Sequence, residues 1–466
     1  LFVVVLFDPW AVIAPGFWLS FGAVAVIAYV TVARLQLAHW FKEAINTQWA
    51  ITLGLLPLLI FMFGQTSIIS PIANAFAIPV ISLVVVPLAI LGGLLHLDFI
   101  LHAAHFVLEI CMQGLTWLAT FPLWQQAAPP MWTVLIAIFG VLWMLLPRGF
   151  PQRWLGLIML LPLFFVYSPK PAIGEMHVAV LDVGQGLAVT IQTANHALLY
   201  DAGPHYSAQS DAGSKIVVPF LRGQGVKKLD GFIVSHNDND HRGGAASVLA
   251  QVPVNWLMTS FEIPEVSTKQ KRVKCFVGQH WQWDGVKFEV LYPSINSYEN
   301  PNLTDNNRSC VVKVTSALGS ILLTGDIEKE ADSILVEPVL QASINKPSGH
   351  ASSGDTILIK NVLKSDVLIA PHHGSKTSST SAFIGAVNAK YIVFTVGYLN
   401  RFQHPKPLIV ERYAETGAAL YRSDDKGAII IDFKMDFKKN KPISLNAWRK
   451  LVPRYWQDES VLQKNS

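Results

Sequence analysis

At 466 residues, 51% hydrophobic and only 15% charged, with a mean hydropathy of +0.37, the chain has room for two or more domains and is too apolar on average for an ordinary soluble enzyme. The formal net charge of +4 permits a polyanionic partner without requiring one, so charge alone selects no function. The average hides a division. Up to residue 165 the only charged side chains are Asp8, Arg34, Lys42, Glu43, Asp98, Glu109, Arg148 and Arg153, and beyond it charge returns to ordinary density. The first part reads as membrane and the second does not. The chain opens on Leu1 inside an apolar run, with no basic n-region or small-residue cleavage site, and reads as a piece of something longer rather than as a signal peptide.

Uncharged runs near the bilayer-crossing length of about 20 residues predict helical spans near 11–33, 49–64, 73–95, 99–120, 131–147 and 154–168. No charge interrupts the stretch from Ala44 to Leu97, and the polar Gly64-Gln65-Thr66-Ser67 with Pro71 and Asn74 divides it into two spans. Arg34 and Lys42 fall in the first loop, Arg148 and Arg153 in the fifth, and neither Lys nor Arg in the second or fourth. Odd loops therefore face the cytoplasm, and the sixth span delivers everything after Ser168 to the outer side, unless one of the six lies on the surface or re-enters. His96, Asp98, His102, His105 and Glu109 recur at helical spacing, which suits either a polar conduit lining or the wet face of an interfacial helix. Pro79, Pro87 and Gly92-Gly93 predict kinks or a break in the third span, although plain packing accommodates them too.

From Met176 the texture changes to short strands such as His177–Asp182, Ala188–Gln192, Ala197–Tyr200, Gly231–Ser235, Ser320–Thr324, Val367–Ala370 and Tyr391–Val396. Helical stretches and turn residues separate them, as in an α/β layered domain over 174–434. Residues 435–466, with Lys438-Lys439, Arg449-Lys450 and Arg454-Tyr455-Trp456, read as a basic tail.

The strongest chemical signal is Ser235-His236-Asn237-Asp238-Asn239-Asp240-His241-Arg242-Gly243-Gly244, directly after the buried strand Gly231–Val234. A loop there can fold His236 and Asp238 onto one metal ion and Asp240 and His241 onto a second. Carboxylates and imidazoles packed so closely are costly without a compensating cation.

This run resembles the His-x-His-x-Asp-His signature of metallo-β-lactamase-fold hydrolases, with Asp238 where the second His usually stands. Other matching pieces follow. Tyr200-Asp201-Ala202-Gly203 resembles the early strand-turn, and Leu323-Thr324-Gly325-Asp326 the segment giving the metal-bridging Asp. Pro371-His372-His373-Gly374-Ser375 resembles a later His motif, and His404-Pro405 supplies a final His. The resemblance implies an αββα sandwich and the metal ligands His236, Asp238, Asp240, His241, Asp326, His373 and His404, with Asp240 orienting a water. Lys376 and Ser375 follow the His pair and either contact phosphate or are merely solvated. One departure stands out. The usual His between the first motif and the bridging Asp is replaced by an early His280 or by the neighbourhood of Asn306-Asn307-Arg308-Ser309. Asp for His adds oxygen to the first site, which favours Mn²⁺ over Zn²⁺. Two such ions acidify a water and clamp a phosphoryl oxygen without a protein nucleophile.

Leu181-Asp182-Val183-Gly184-Gln185-Gly186, together with Asp8-Pro9-Trp10, Phe17-Trp18-Leu19-Ser20-Phe21 and Phe63-Gly64-Gln65-Thr66-Ser67, is similar to the ComEC family of competence DNA channels. That resemblance covers nearly all of residues 1–433. It implies a transmembrane competence segment over 1–168 in the inner membrane, a hydrolase domain on the periplasmic face, and import of one DNA strand while the other is degraded. Single- and double-stranded DNA, the bilayer and other competence proteins are the implied partners. The family's N-terminal oligonucleotide-binding-like domain and further spans have no counterpart here. Cys111 reads as inert span packing, whereas Cys275 and Cys310 are either a disulfide in an oxidising compartment or two buried thiols. Two other readings compete: a DNA-gripping channel with an inactive metal site, and a membrane-anchored phosphodiesterase acting on lipid or wall polymers. Trp281, Trp283, Tyr398 and Phe402 are candidates for stacking on bases, or core.

Overall fold

The computed structural model describes all of the chain except residues 33–39, 148, 167, 263–269, 345–361, 437–440 and 455–466. Arg34, Arg148, Lys438, Lys439, Tyr455 and Trp456 lie outside the described residues. The chain forms two compact units, the first Leu1–Ser168 with Arg222–Gly225 and the second Pro169–Leu221 with Val226–Ser466.

Among the described residues of the first unit, four helices are long and apolar enough to cross a bilayer: Pro15–Val32, Ile45–Phe63, Ser70–Leu95 and Asp98–Leu118. Leu83, Leu94, Phe99 and Phe106 are exposed on them, as lipid-facing side chains are. The third is continuous rather than broken. Pro79 and Pro87 each lack an N–H, and the five residues Ile81–Val85 between them widen into a π-turn that absorbs the mismatch before the helix resumes and ends at His96. The fifth and sixth expected spans are helices too, but Met131–Met144 and Leu155–Phe164 have only 14 and 10 residues. At 1.5 Å per residue neither reaches across about 30 Å of hydrocarbon. A side chain on Gly156 would collide with the Gly140 carbonyl, so this short pair packs backbone to backbone.

The second unit is built on two sheets. In chain order its main strands are β1 (Met176–Val180), β2 (Val189–Gln192), β3 (Ala197–Tyr200), β4 (Leu229–Val234), β5 (Val254–Thr259), β6 (Lys271–Lys274), β7 (His280–Trp283), β8 (Val286–Tyr292), β9 (Val311–Ser316), β10 (Gly319–Leu323), β11 (Val367–Ile369), β12 (Tyr391–Phe394), β13 (Ala419–Arg422), β14 (Ile429–Asp436) and β15 (Lys441–Ala447). The first sheet has the order β6-β5-β4-β3-β2-β1-β14-β15, the second β7-β8-β9-β10-β11-β12-β13. Neighbours from β3 to β6 and from β10 to β13 run parallel, and the rest antiparallel.

Alternation along the strands builds the layers. Met176, Val178 and Val180 of β1 meet Ile321 and Leu323 of β10, Val367 and Ile369 of β11 and Val393 of β12 in the core between the sheets. The opposite face of the first sheet packs on Val218, Leu221 and Val248 from two short helices. Leu322, Leu368 and Phe394 pack with Ala331, Phe383 and Ile409 on the outer face of the second. The result is an αββα sandwich. The expected basic tail differs: its 441–447 stretch is strand β15, with Ile443 and Ala447 in the central core.

Candidate metal centre

The chemistry-bearing residues come from five chain segments that share a position in the fold. Asp201 follows β3, His236 follows β4, Asp326 follows β10, His372 and His373 follow β11, and Thr395 follows β12. All sit just beyond the C-terminal ends of the parallel strands of the two sheets, the ordinary place for a site in such sheets.

Close backbone approach brings them together. Gly243 and Gly244 follow His241, and a side chain on either would run into the backbone of the 202–205 or 213 segments. Gly186, at φ +140°, similarly lets its loop lie against the Asp240 carbonyl, which accepts the Leu187 N–H at 3.1 Å. After β11 the backbone passes through left-handed conformations at His372 and His373 (φ 48° and 55°) and Gly374 (φ 80°), which turns the His pair toward Asp326. Non-glycine residues hold such angles only where the surroundings over-determine them, a pattern concentrated at functional sites.

Asp240, His241, Asp326 and His373 each offer a donor atom within 4.8 Å of the others. His241 Nε2 lies 3.0 Å from Asp326 Oδ1 and 3.2 Å from His373 Nε2, and His373 Nε2 lies 3.2 Å from Asp240 Oδ2 and 3.4 Å from Asp326 Oδ2. His236 is fully buried with its ring 4.2 Å from that of His241. Its Nδ1 sits 3.0 Å from Ser235 Oγ, while its Nε2 has no hydrogen-bond partner among the described residues. Asp238, at the rim, approaches that Nε2 at 3.6 Å, too far for a hydrogen bond. His404 stands apart from the four, 5.9 Å ring to ring from His372 and stacked on Phe402. Lys376 is exposed on the loop beyond them.

These residues fit a cation. Imidazole nitrogens and carboxylate oxygens converge on one another, and an orphaned buried Nε2 faces the same loop, where a divalent ion would satisfy all of them. Without it they neutralise each other. Burial opposes charge on His241, yet Asp326 and Asp201 raise it well above the ordinary imidazole range. Burial likewise opposes the charge on Asp326, but His241 and His373 hold that carboxyl well below normal. Asp240 stays down at about 2 against the cost of burial through its hydrogen bond to His373 and the neighbouring imidazoles. Burial, then the charges of His373 and His372, lowers His404 to about 4, so it is neutral at pH 7.

Three supporting residues go beyond the ligand set read from the sequence. Asp201, fully buried, accepts from the Ser235 N–H and Oγ at 2.6 and 2.8 Å and holds His241 Nδ1 at 2.8 Å, the orienting carboxylate that metal-bound imidazoles commonly have. Thr395 Oγ1 does the same for His373 Nδ1 at 3.0 Å. His372 lies 3.8 Å from Asp326 and 3.4 Å from Glu328. The Tyr200-Asp201 turn and the doubled His are the sequence signals for two of them; Thr395 has none. Between the first motif and Asp326, His280 is exposed on edge strand β7, and Ser309 Oγ instead accepts the Asp326 N–H at 3.1 Å.

Such a cluster beyond the strand ends of a two-sheet sandwich defines a metallo-β-lactamase-fold protein, and residues 181–395 match the metallo-beta-lactamase superfamily. Residues 1–151 match the competence protein family. The chain is 36% identical over 429 residues to competence protein ComA of Neisseria gonorrhoeae, covering 91% of this chain and 57% of that one. It is 29% identical to the uncharacterized protein YcaI of Escherichia coli K12, covering 97% and 57%. The metallo-beta-lactamase fold protein YhfI of Bacillus subtilis superposes on 55% of this chain and 99% of its own, at 13% identity and a TM-score of 0.34. The chain is thus a homologue of the ComA/ComEC competence proteins, joining a competence-protein membrane segment to a metallo-β-lactamase-fold domain. It spans 57% of the length of these two curated relatives.

Proposed function

We propose that this protein acts in DNA uptake across the inner membrane during natural transformation, and that its second unit hydrolyses DNA phosphodiesters, degrading the strand that is not imported. The observation that carries the hydrolase reading is the convergence of Asp240, His241, Asp326 and His373, supported by Asp201 and the unpaired His236 Nε2. Two divalent ions, Mn²⁺ or Zn²⁺, would supply Lewis-acid polarisation of a phosphoryl oxygen and acidification of a water. His236, Asp238, Asp240 and His241 would hold them from one side, Asp326 and His373 from the other. Asp240, half-buried where His373 is buried, would orient the attacking water from the more open side of the cluster. His404, at the rim, donates an N–H to the phosphoryl group, and exposed Lys376 draws the polyanion toward it.

We place this unit on the periplasmic face. Replacing two expected spans by one short helical pair changes the span count by two and leaves its parity, so with the Arg34 and Lys42 loop inside, 169–466 still falls outside, on the same side as Arg153 between the short helices. The Cys275–Cys310 bond fits an oxidising compartment.

The test is cleavage of single- and double-stranded DNA by the detergent-solubilised chain, stripped of metal and then supplied with Mn²⁺ or Zn²⁺. Metal-dependent cutting that falls at least a thousandfold in Asp240→Ala is expected. DNA binding without cutting under every metal would contradict the nuclease and favour a gripping role. Cutting of lipid or wall phosphodiesters alone would favour the anchored phosphodiesterase.

A further inference from the structure

Beside the metal loop lies a cleft of about 530 Å³, lined by none of the candidate metal ligands. Edge strand β6 forms one wall. Arg272 and Lys274 alternate on it and line the cleft, both exposed. Basic residues on an edge strand ordinarily serve to block edge-to-edge pairing. Here they are set against aromatic rings and a third cation instead. Lys274 Nζ sits 3.9 Å over the Tyr298 ring, and Phe261 and Arg308 complete the lining. Among the described lining residues the carboxylates are Glu262 and Asp305, and Asp305 is taken by Arg308 at 3.1 Å. The described lining thus carries three cations, Arg272, Lys274 and Arg308, beside two carboxylates.

The cleft is built into the same framework as the metal centre. Ser260, in its lining, donates its hydroxyl to the Ser235 carbonyl at 2.6 Å, and the Cys310 N–H donates to the same carbonyl at 3.0 Å. Ser235 is the residue before His236. Arg308 directly precedes Ser309, which holds the Asp326 N–H. Tyr298 donates to the carbonyl of Cys275, whose sulfur is bonded to Cys310.

We propose that this cleft is a binding track for the phosphodiester backbone of a single nucleic-acid strand, with Arg272 and Lys274 as phosphate contacts and the Tyr298 and Phe261 rings as a surface for bases. Cations interleaved with aromatic rings are the arrangement that holds single strands without sequence preference. The proposal rests on the hydrolase reading for its direction: it feeds or drains the metal centre.

Binding of fluorescein-labelled dT20 to the metal-free full-length chain in micelles, followed by anisotropy between 50 and 200 mM salt, tests it. Each single-strand phosphate contact contributes about 0.7 to the slope of log affinity against log salt. Arg272→Gln with Lys274→Gln should therefore flatten the slope by about 1.4, while a control of equal charge change, Lys227→Gln with Lys450→Gln, leaves it near wild type. Equal slopes in the two double variants, or no binding of the oligonucleotide by wild type, overturn the cleft. Hydrolysis of bis(p-nitrophenyl) phosphate by the metal-loaded protein separates the two claims. If wild type hydrolyses it and the cleft variant matches, the fold and centre are intact and a changed slope belongs to the cleft. If wild type does not, the hydrolase reading fails while the oligonucleotide result still decides the cleft.

Discussion

Asp201 shows how much of a metal site lies behind its ligands. Its carboxylate fixes both the Ser235 backbone and the His241 imidazole. Asp201→Asn retains the shape but loses an acceptor, so metal affinity measured by calorimetric titration should fall about 10- to 100-fold; unchanged affinity would remove Asp201 from the site. Asp332 makes a separate prediction away from the centre. It is fully buried, its Oδ2 accepts the Thr380 N–H at 2.9 Å and its Oδ1 has no hydrogen-bond partner among the described residues. Burial raises it from an ordinary 3.8 to about 7. Between those values the folded state keeps a proton that the unfolded state has released. Stability contributed at this residue is therefore lost as pH rises through that window, by on the order of 4 kcal/mol. Asp332→Asn should unfold at the same denaturant concentration as wild type near pH 4 and at a higher one near pH 8. The histidines and aspartates of the centre can be read from the sequence because ligand chemistry demands particular residue types at close spacing. Thr395 cannot, since a threonine at a strand end has many uses.

Strand β15 marks where composition misleads. Lys438, Lys439, Arg449 and Lys450 dominate the segment and suggest a solvated tail, but Ile443, Leu445 and Ala447 alternate within it, the period of a half-buried strand. Beyond it, Arg449 reaches Asp182 at 3.0 Å. Ile443→Ala should therefore destabilise the second unit by about 2–4 kcal/mol in chemical unfolding, whereas a solvated tail would give less than about 0.5 kcal/mol. The short helices Met131–Met144 and Leu155–Phe164 carry the opposite lesson: an apolar run shows what a segment avoids, and only helix length shows whether it crosses. In the helix Asp98–Leu118, Asp98, His102, His105 and Glu109 are all exposed, so the stripe read from their spacing faces away from the rest of this chain's first unit.

For the whole molecule, the sharp charge boundary near residue 165 is the most readable feature, because water and hydrocarbon impose opposite demands on a sequence. The order of the strands and the meeting of five segments at one edge are not readable from local patterns, since long-range pairing sets them. The Cys275–Cys310 pair closes a sequence separation of 35 residues, worth about 4 kcal/mol by loop entropy. Lys227→Cys should react with a membrane-impermeant maleimide in intact cells. Reaction only after lysis would place the second unit in the cytoplasm. The centre itself is tested most directly by counting metal. Elemental analysis of the purified chain after Mn²⁺ or Zn²⁺ loading and dialysis should find two ions per molecule, falling to one or none in Asp326→Ala. No retained metal in wild type, or an unchanged count in Asp326→Ala, would contradict a metal centre built on these residues.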